Sequence, residues 1–307
     1  MKLKIGFVSL GCPKNLTDTE TMIGILAGEN EIVANPEEAD VIIINTCGFI
    51  DDAKQESIDT IIEMGKYKEM GCLKKLIVTG CLAQRYADEI FEEMPEVDAV
   101  VGTAGYTDIR EILGRMAEEQ KVKHLPDINR EILPSADRVL ATPPYSAYLK
   151  IADGCDNKCT YCIIPKLRGK YRSRPMGDIV SEAERLAEKG VTELILIAQD
   201  TSNYGVELYQ QQKLHILIEK LSEIEKIKWI RVHYCYPEYI YPELIETMAK
   251  NDKVCKYFDI PIQHASDAVL KRMGRKTTRS QCIKLIKTLR EKVPGIVLRS
   301  TFITGFP

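Results

Sequence analysis

Short apolar runs alternate with amphipathic stretches along the chain, and this alternation predicts how it folds. In the first half, runs rich in isoleucine and valine are typical of buried strands. They lie at Lys4–Leu10, Val41–Asn45, Leu76–Thr79 and Ala99–Val101, with helical patterns near residues 17–28, 51–66, 84–94 and 107–116. Strands that alternate with helices predict a doubly wound parallel sheet. We therefore predict an N-terminal α/β domain over residues 1–118, followed by a charged, proline-containing linker at 119–144.

The second half repeats this alternation. Strand-like runs lie at Tyr145–Ala152, Leu194–Ala198, Lys228–Val232, Tyr257–Ile260 and Ile296–Thr304, with helical patterns near residues 178–189, 210–224, 241–250 and 279–292. Counted as six strand–helix units, this half predicts a partial (β/α)6 barrel over residues 145–307 that is incomplete at its C-terminus. Ligands of such barrels bind at the carboxyl ends of the strands, so chemistry is expected in the loops that follow them.

The composition is that of an ordinary globular protein. The 307 residues are 45% hydrophobic and 28% charged, and the net charge of −3 gives no electrostatic case for nucleic-acid binding. No apolar run reaches the ~18 residues of a membrane span, and the run before Cys12 is shorter than the ~7–15 residues of a signal-peptide core. We expect a cytoplasmic protein, in which ten cysteines indicate metal binding or catalysis rather than disulfides.

Three cysteines in the second half, Cys155, Cys159 and Cys162, have the spacing C-x-x-x-C-x-x-C. Cysteine thiolates are the usual ligands of a [4Fe–4S] cluster, and three of them leave one iron open. Structural zinc needs four closed ligands, so three thiols without a nearby fourth fit it poorly. With Tyr161 just before the last cysteine, the motif resembles the radical S-adenosylmethionine (SAM) signature, in which the open iron binds SAM.

A second set of cysteines lies in the first half, where Cys12, Cys47 and Cys81 each follow a predicted strand. The carboxyl ends of parallel strands meet at one edge of a sheet, so three loops could bring these thiols to one point. This arrangement predicts a second [4Fe–4S] cluster. The alternative is three buried core thiols, because free cysteine is commonly buried. We interpret the remaining cysteines as packing residues, namely Cys72, Cys235, Cys255 and Cys282.

The two cysteine sets together resemble the radical SAM methylthiotransferase family, and the resemblance spans nearly the entire chain. Several segments are similar to the branch of the family that acts on a ribosomal protein rather than to the branch that acts on tRNA. These segments are Ser9–Leu16, Asn45–Ile50, Ile151–Cys155, Ile197–Thr201 and Tyr234–Glu238. The resemblance also implies a C-terminal TRAM domain and a Gly-Glu-Thr motif after Pro307. Neither is present in these residues, so we expect a truncated form.

The resemblance implies transfer of a methylthio group to the β-carbon of an aspartate in the small-subunit ribosomal protein uS12. The cluster at Cys155, Cys159 and Cys162 would reduce SAM to a radical that abstracts hydrogen from this unactivated carbon. The cluster at Cys12, Cys47 and Cys81 would hold the sulfur. No catalytic residue beyond the clusters is predicted. A sulfur donor and a reductant are implied partners that the sequence does not identify.

Three residues are candidate SAM contacts. The resemblance implies that Tyr161 flanks the adenine of SAM. Gln199 and Arg299 lie at the end of the second barrel strand and in the last strand, so each is predicted to meet the amino-acid end or the ribose of SAM, or else to be a structural polar residue.

Alternatives with different chemistry remain at this point. A tRNA adenosine methylthiotransferase has the same cofactors and another substrate, a two-cluster electron-transfer protein would not cleave SAM, and a zinc-stabilised protein would not contain iron.

Basic residues between 166 and 174 alternate with uncharged ones, so an extended backbone would place them on one face. Such a face would grip RNA phosphates or an acidic loop, or would simply be a solvated edge strand. These residues are Lys166, Arg168, Lys170, Arg172 and Arg174.

Overall fold

The computed structural model describes residues 2–132 and 137–307. The chain forms two compact units, which are treated separately below. Unit 1 comprises Met1–Ala141 together with Lys166–Gly169, and unit 2 comprises Thr142–Pro165 together with Lys170–Pro307. The short segment Lys166–Gly169 thus returns to unit 1 after the chain has entered unit 2. The predicted domain borders stay a prediction, and residues 133–136 of the predicted linker lie outside the described residues.

Unit 1 is built on a parallel sheet with the strand order β2-β1-β3-β4-β5-β6. Its strands are β1 (Lys4–Ser9), β2 (Glu31–Val33), β3 (Val41–Thr46), β4 (Lys75–Gly80), β5 (Ala99–Val101) and β6 (Val122–His124). Its helices are α1 (Pro13–Ala27), α2 (Asp51–Glu69), α3 (Cys81–Arg85), α4 (Ala87–Glu93) and α5 (Ile109–Arg115). The doubly wound sheet of the predicted fold class is therefore present.

The core of unit 1 lies on both faces of the central strands. Every residue of β3 is buried, which is typical of a parallel strand that is covered by helices on both sides. Successive residues of β3 serve opposite faces, so that Ile42 and Ile44 pack with α2 and α4, whereas Ile43 packs with α1 and α5. This two-sided burial explains why a continuous apolar run identified the strand.

Unit 2 contains five parallel strands and an antiparallel pair among its described residues. β7 (Ser146–Lys150), β10 (Glu193–Ile197) and β11 (Trp229–Val232) form one sheet, and β12 (Tyr257–Asp259) pairs with β13 (Val297–Arg299). The antiparallel pair is β8 (Ala152–Asp153) with β9 (Arg172–Ser173). The helices are α6 (Ile164–Arg168), whose last residues belong to unit 1, α7 (Met176–Glu188), α8 (Val206–Tyr209), α9 (Leu214–Glu223), α10 (Pro242–Lys250), α11 (Asp267–Arg272) and α12 (Arg279–Lys292).

The strands of unit 2 follow one another as in a barrel, so that the predicted fold class is confirmed, with five parallel strands in the described residues where six strand–helix units were counted. β10 lies between β7 and β11 in parallel register, with Leu196 opposite Leu149 and Val232. An isolated parallel bridge between Ile230 and Val254 links β11 to the chain that leads into β12. No helix in the described residues is long and apolar enough to cross a membrane.

The basic residues between 166 and 174 do not share one extended face, so this prediction is wrong. Residues 164–168 form α6 instead of a strand. Arg168 and Arg174 are 3% and 4% exposed. Their guanidinium groups form ion pairs with Asp18 and Glu182, respectively. The five basic residues therefore do not form one exposed face, because two of them are internal ion-pair partners.

Candidate iron–sulfur sites

The structure brings Cys12, Cys47 and Cys81 to one edge of the sheet in unit 1. β1, β3 and β4 are neighbours in the sheet, and each cysteine follows the carboxyl end of one of them. A methyl group on Gly11 would lie 3.0 Å from the Cys47 sulfur, so the Cys47 side chain lies against the backbone that precedes Cys12. The thiols of Cys12 and Cys47 are also close enough to Cys81 for their charge to raise its pKa.

Glycine backbones make the close approach of these loops possible. A methyl group on Gly48 would lie 3.1 Å from the carbonyl group of Cys81. Gly80 has φ 95° and ψ −153°, a conformation that is essentially restricted to glycine. It allows the chain to turn from β4 directly into α3, with Cys81 as the first residue of the helix.

Amides and a hydroxyl fix the positions of two of the three loops. The Asn15 side chain donates to the carbonyl oxygens of Leu10 and Thr46, at 3.0 and 2.9 Å, and so joins the loop after β1 to the end of β3. Asn45 Nδ2 donates to the Asn15 carbonyl oxygen at 2.8 Å. Ser57 Oγ accepts from the Cys47 amide at 3.0 Å and donates to its carbonyl oxygen at 3.1 Å. The loops after β1 and β3 are thus each held by a side chain from the helix that follows.

The electrostatic surroundings of these thiols are mixed. Burial raises the pKa of Cys47, and the neighbouring Cys12 adds to this effect. Burial raises the pKa of Cys81 to about 11, although the charge and a hydrogen bond of Arg168 act in the opposite direction. Sequence reasoning missed Asn15 and Arg168 as parts of this site. Asn15 lies in a segment that the resemblance had marked, but nothing in the sequence places Arg168 here.

The second cysteine set lies on the loop after β8 in unit 2. Gly154 has φ +79° and directs the chain out of the strand into Cys155. Asn157 Nδ2 lies 3.5 Å from the Cys155 sulfur and 3.3 Å from Asp200 Oδ2. Burial raises the pKa of Cys155 to about 11 and also raises the pKa of Cys162. A metal that binds these thiols as thiolates must therefore offset a desolvation cost.

Aromatic and cationic groups surround this loop. The Tyr236 hydroxyl lies 2.8 Å from the Cys159 sulfur, and the Arg275 guanidinium lies 3.7 Å from the centre of the Tyr236 ring. The loop is also fixed from outside, since the Thr160 amide donates to the Met273 carbonyl oxygen at 3.0 Å. A methyl group on Gly274 would lie 2.6 Å from the Lys158 carbonyl oxygen. Tyr236 and Arg275 were not predicted as site residues.

The three candidate SAM contacts have different surroundings. Tyr161 is half-buried and makes an edge-to-face contact with Phe306, at 6.3 Å between ring centres. Gln199 Nε2 donates to Asp153 Oδ1 at 2.7 Å, whereas its Oε1 is buried without a hydrogen-bond partner in the described part of the chain. The Arg299 side chain is 57% exposed and lies 3.3 Å from Asp259 Oδ2. Gln199 is therefore adjacent to the strand that leads into Cys155, and its free acceptor would suit a polar ligand.

The donor sets have the chemistry of iron–sulfur cluster ligands. Among the described residues, no three His, Cys, Asp or Glu side chains, those of the two cysteine sets included, are grouped so as to hold a metal ion. Both sets consist only of thiols, which are the typical cluster ligands, and all ten cysteines are free. The glycine backbones at Gly11 and Gly48 let Cys47 and Cys81 approach the neighbouring loops closely.

The other cysteines lie outside both loops. Cys235 and Cys282 are buried, as expected of packing residues, and Cys255 is partly buried. Cys72 is exposed, so its interpretation as a packing residue is wrong. It follows α2 in the turn before β4, where no core surrounds the side chain.

Two family profiles match the chain. The "Uncharacterized protein family UPF0004" matches residues 4–102, and the "Radical SAM superfamily" matches residues 149–307. A solved structure of the radical SAM methyltransferase TsrM from Kitasatospora setae, with cobalamin and a [4Fe–4S] cluster bound, has a TM-score of 0.71 at 14% identity. It covers 100% of this chain and 70% of that one. The cobalamin-dependent radical enzyme OxsB has a TM-score of 0.65 at 16% identity, covering 98% of this chain and 49% of that one. These likenesses show the fold.

The fold and the profiles define a radical SAM protein with an N-terminal UPF0004 domain. The curated relatives are more specific. "Ribosomal protein uS12 methylthiotransferase RimO" from Clostridium perfringens (strain SM101) is 54% identical over 310 residues, covering 100% of this chain and 69% of that protein. The protein of the same name from Clostridioides difficile (strain 630) is 54% identical over 306 residues, covering 99% and 69%. The chain belongs to the radical SAM methylthiotransferase family, in its RimO group.

Proposed function

We propose that this chain attaches a methylthio group to the β-carbon of an aspartate in ribosomal protein uS12, in the cytoplasm. The observation that carries the proposal is identity of 54% along the whole chain with proteins named for this activity. Two all-thiol ligand sets, one at the strand ends of each unit, support it. The β-carbon of an aspartate is unactivated, and radical chemistry avoids the carbanion that a base would have to form.

We assign the ligands by unit. Cys155, Cys159 and Cys162 would hold the cluster that works with SAM. Cys12, Cys47 and Cys81 would hold the second cluster. When bound, these groups supply one-electron cleavage of SAM, hydrogen abstraction and sulfur for transfer.

Hydrogen bonds hold the backbone around the first cysteine set in place. Asn15 and Ser57 hold the loops after β1 and β3 through four buried hydrogen bonds to backbone atoms. Buried hydrogen bonds of this kind position the ligand-bearing backbone before a metal binds, so less freedom is lost on binding. Around the second set, Tyr236 orients the Cys159 sulfur and Arg275 covers the tyrosine ring.

Each of the proposed SAM contacts suits a different part of the ligand. Gln199 presents a buried acceptor without a partner in the described residues, and it suits an ammonium or hydroxyl group. Arg299 presents an exposed guanidinium, which suits a carboxylate. Tyr161 is half-buried and suits a stacked base.

Purified uS12 and bulk tRNA, incubated separately with the reconstituted enzyme, SAM, sulfide and a reductant, test the proposal. Mass spectrometry should detect a methylthio group on one uS12 aspartate, accompanied by 5′-deoxyadenosine. The matched control is the Cys155→Ala/Cys159→Ala/Cys162→Ala variant, which should form neither product. A methylthio group on a tRNA nucleoside and none on uS12 would show that the enzyme belongs with the tRNA-modifying group. Absence of 5′-deoxyadenosine from an enzyme with both clusters loaded would favour electron transfer.

A further inference from the structure

Arg168 is a buried cation at the predicted ligand set of unit 1. It lies at the end of α6 in the segment Lys166–Gly169, which packs as part of unit 1. Its Nη1 donates to Asp18 Oδ2 at 2.9 Å, and its Nη2 donates to Asn15 Oδ1 at 2.7 Å. Asp18 and Asn15 are 3% and 0% exposed, respectively. The guanidinium is therefore held in one orientation by α1, the helix that begins directly after Cys12.

This orientation places the guanidinium beside Cys81. Asn15 Oδ1, which accepts the hydrogen bond from Arg168, lies 3.9 Å from the Cys81 sulfur. Arg168 thus contacts Asn15, which joins two of the cysteine loops and lies beside the sulfur on the third.

Stability alone is a poor explanation for this ion pair. A buried salt bridge often contributes little or nothing compared with apolar residues of the same size, because both charges lose their hydration. An ordered cation beside a cluster ligand has a different consequence, since hydrogen bonds and positive charge near the sulfurs stabilise the reduced, more negative cluster.

We propose that Arg168 is a positioning residue that holds Asn15 beside the Cys81 sulfur and raises the reduction potential of the cluster held by Cys12, Cys47 and Cys81. The proposal rests on the ligand assignment made above. It concerns an electrostatic property of one site, so it can be measured without turnover.

The chain contains a matched control for the experiment. Glu20 lies two residues after Asp18 on α1, and it forms a buried ion pair with Arg138, which is 3% exposed. Both pairs are thus buried and share a helix. The hydrogen bonds described for this pair are those of Glu20 with the Arg138 guanidinium and with the Ala141 amide.

The experiment compares paired neutral variants in a Cys155→Ala/Cys159→Ala/Cys162→Ala parent, in which one cluster remains. Asp18→Asn/Arg168→Gln removes the pair at the cysteines without leaving a lone buried charge, and Glu20→Gln/Arg138→Gln does the same at the control pair. Redox titration followed by electron paramagnetic resonance measures the midpoint potential. The first variant should lower the reduction equilibrium constant at least tenfold, which is about 59 mV for one electron. The control variant should leave it unchanged.

Equal potentials in both variants would overturn the proposal and leave Arg168 with a structural role. Arg168→Lys provides a second test that preserves the charge and does not depend on the folding of the double variant. It should lower the midpoint potential by less than the double variant does, because lysine keeps the positive charge but lacks the planar fork that contacts two partners. An unchanged potential in Arg168→Lys would also contradict the proposal. A parent that retains no iron would instead overturn the ligand assignment itself.

Discussion

Substitution of Gly80 by alanine tests whether the turn from β4 into α3 depends on glycine. Gly80 has φ 95° and ψ −153°. A methyl group there would lie 2.3 Å from Asn45 Oδ1 and 2.6 Å from the Thr46 carbonyl oxygen. The second contact is with backbone of the neighbouring strand, so rotation of a side chain cannot relieve it.

Two costs add to give the expected loss of stability. A non-glycine residue in this backbone region costs about 1–3 kcal/mol. Forcing a methyl group into a filled space costs roughly another 1–3 kcal/mol. We therefore expect Gly80→Ala to reduce the free energy of unfolding by about 2–6 kcal/mol. The control is Gly114→Ala in α5, where no atom lies within 4 Å of the added methyl group. It should stabilise unit 1 by about 0.5–1 kcal/mol.

Urea denaturation of the apoprotein measures both variants. Circular dichroism reports unfolding of helices in both units, whereas fluorescence of Trp229, the single tryptophan, reports unit 2. The unfolding transition of Gly80→Ala, followed by circular dichroism, should occur at a lower urea concentration than that of the wild type. After reconstitution, this variant should also retain less iron. A free energy of unfolding within about 1 kcal/mol of wild type would refute the reasoning, because the two costs together come to at least about 2 kcal/mol.

Three further predictions follow from burial and charge. Ile43→Ala, at a fully buried position in β3, should cost about 2–5 kcal/mol in urea denaturation, and a loss below about 1 kcal/mol would contradict the described core. Burial favours a raised pKa for Asp108, but hydrogen bonds from Arg130 and His124 outweigh it and lower the pKa. The stability from this group is present above its unfolded pKa and lost as the pH falls through the folded value. In Asp108→Asn the free energy of unfolding should therefore fall less steeply as the pH is lowered, as measured by urea denaturation at a series of pH values. The same pH dependence as in the wild type would count against this pairing. Cys72→Ser, at an exposed position, should leave iron content unchanged and stability within about 0.5 kcal/mol, so lost iron would make Cys72 a ligand.

Apolar periodicity predicted the elements that carry the core. The long runs at β3 and β4 and the patterns of α2 and α12 agree with the structure to within a few residues. The sequence did not reveal the edge strands β2 and β6, which have three residues each. Pairing with a neighbouring strand defines such short segments, and their own pattern of side chains does not. The predicted helix at 84–94 is interrupted at Tyr86, where φ is −130° and ψ is 40°.

The residues of the candidate sites were likewise only partly predictable from the sequence. The strand-end positions of Cys12, Cys47 and Cys81 were predictable because parallel strands end at a common edge. The role of Arg168 was not, because its burial depends on Asp18, which lies 150 residues away in sequence. A basic residue among other basic residues is normally solvated, and only a distant carboxylate makes this one internal.

The measurement that tests the central claim most directly is the iron and sulfide content after anaerobic reconstitution. Wild type is compared with Cys155→Ala/Cys159→Ala/Cys162→Ala. Two four-iron clusters predict about eight irons per chain in the wild type and about four in the variant. About four irons in the wild type and none in the variant would contradict the account, because Cys12, Cys47 and Cys81 would then hold no cluster.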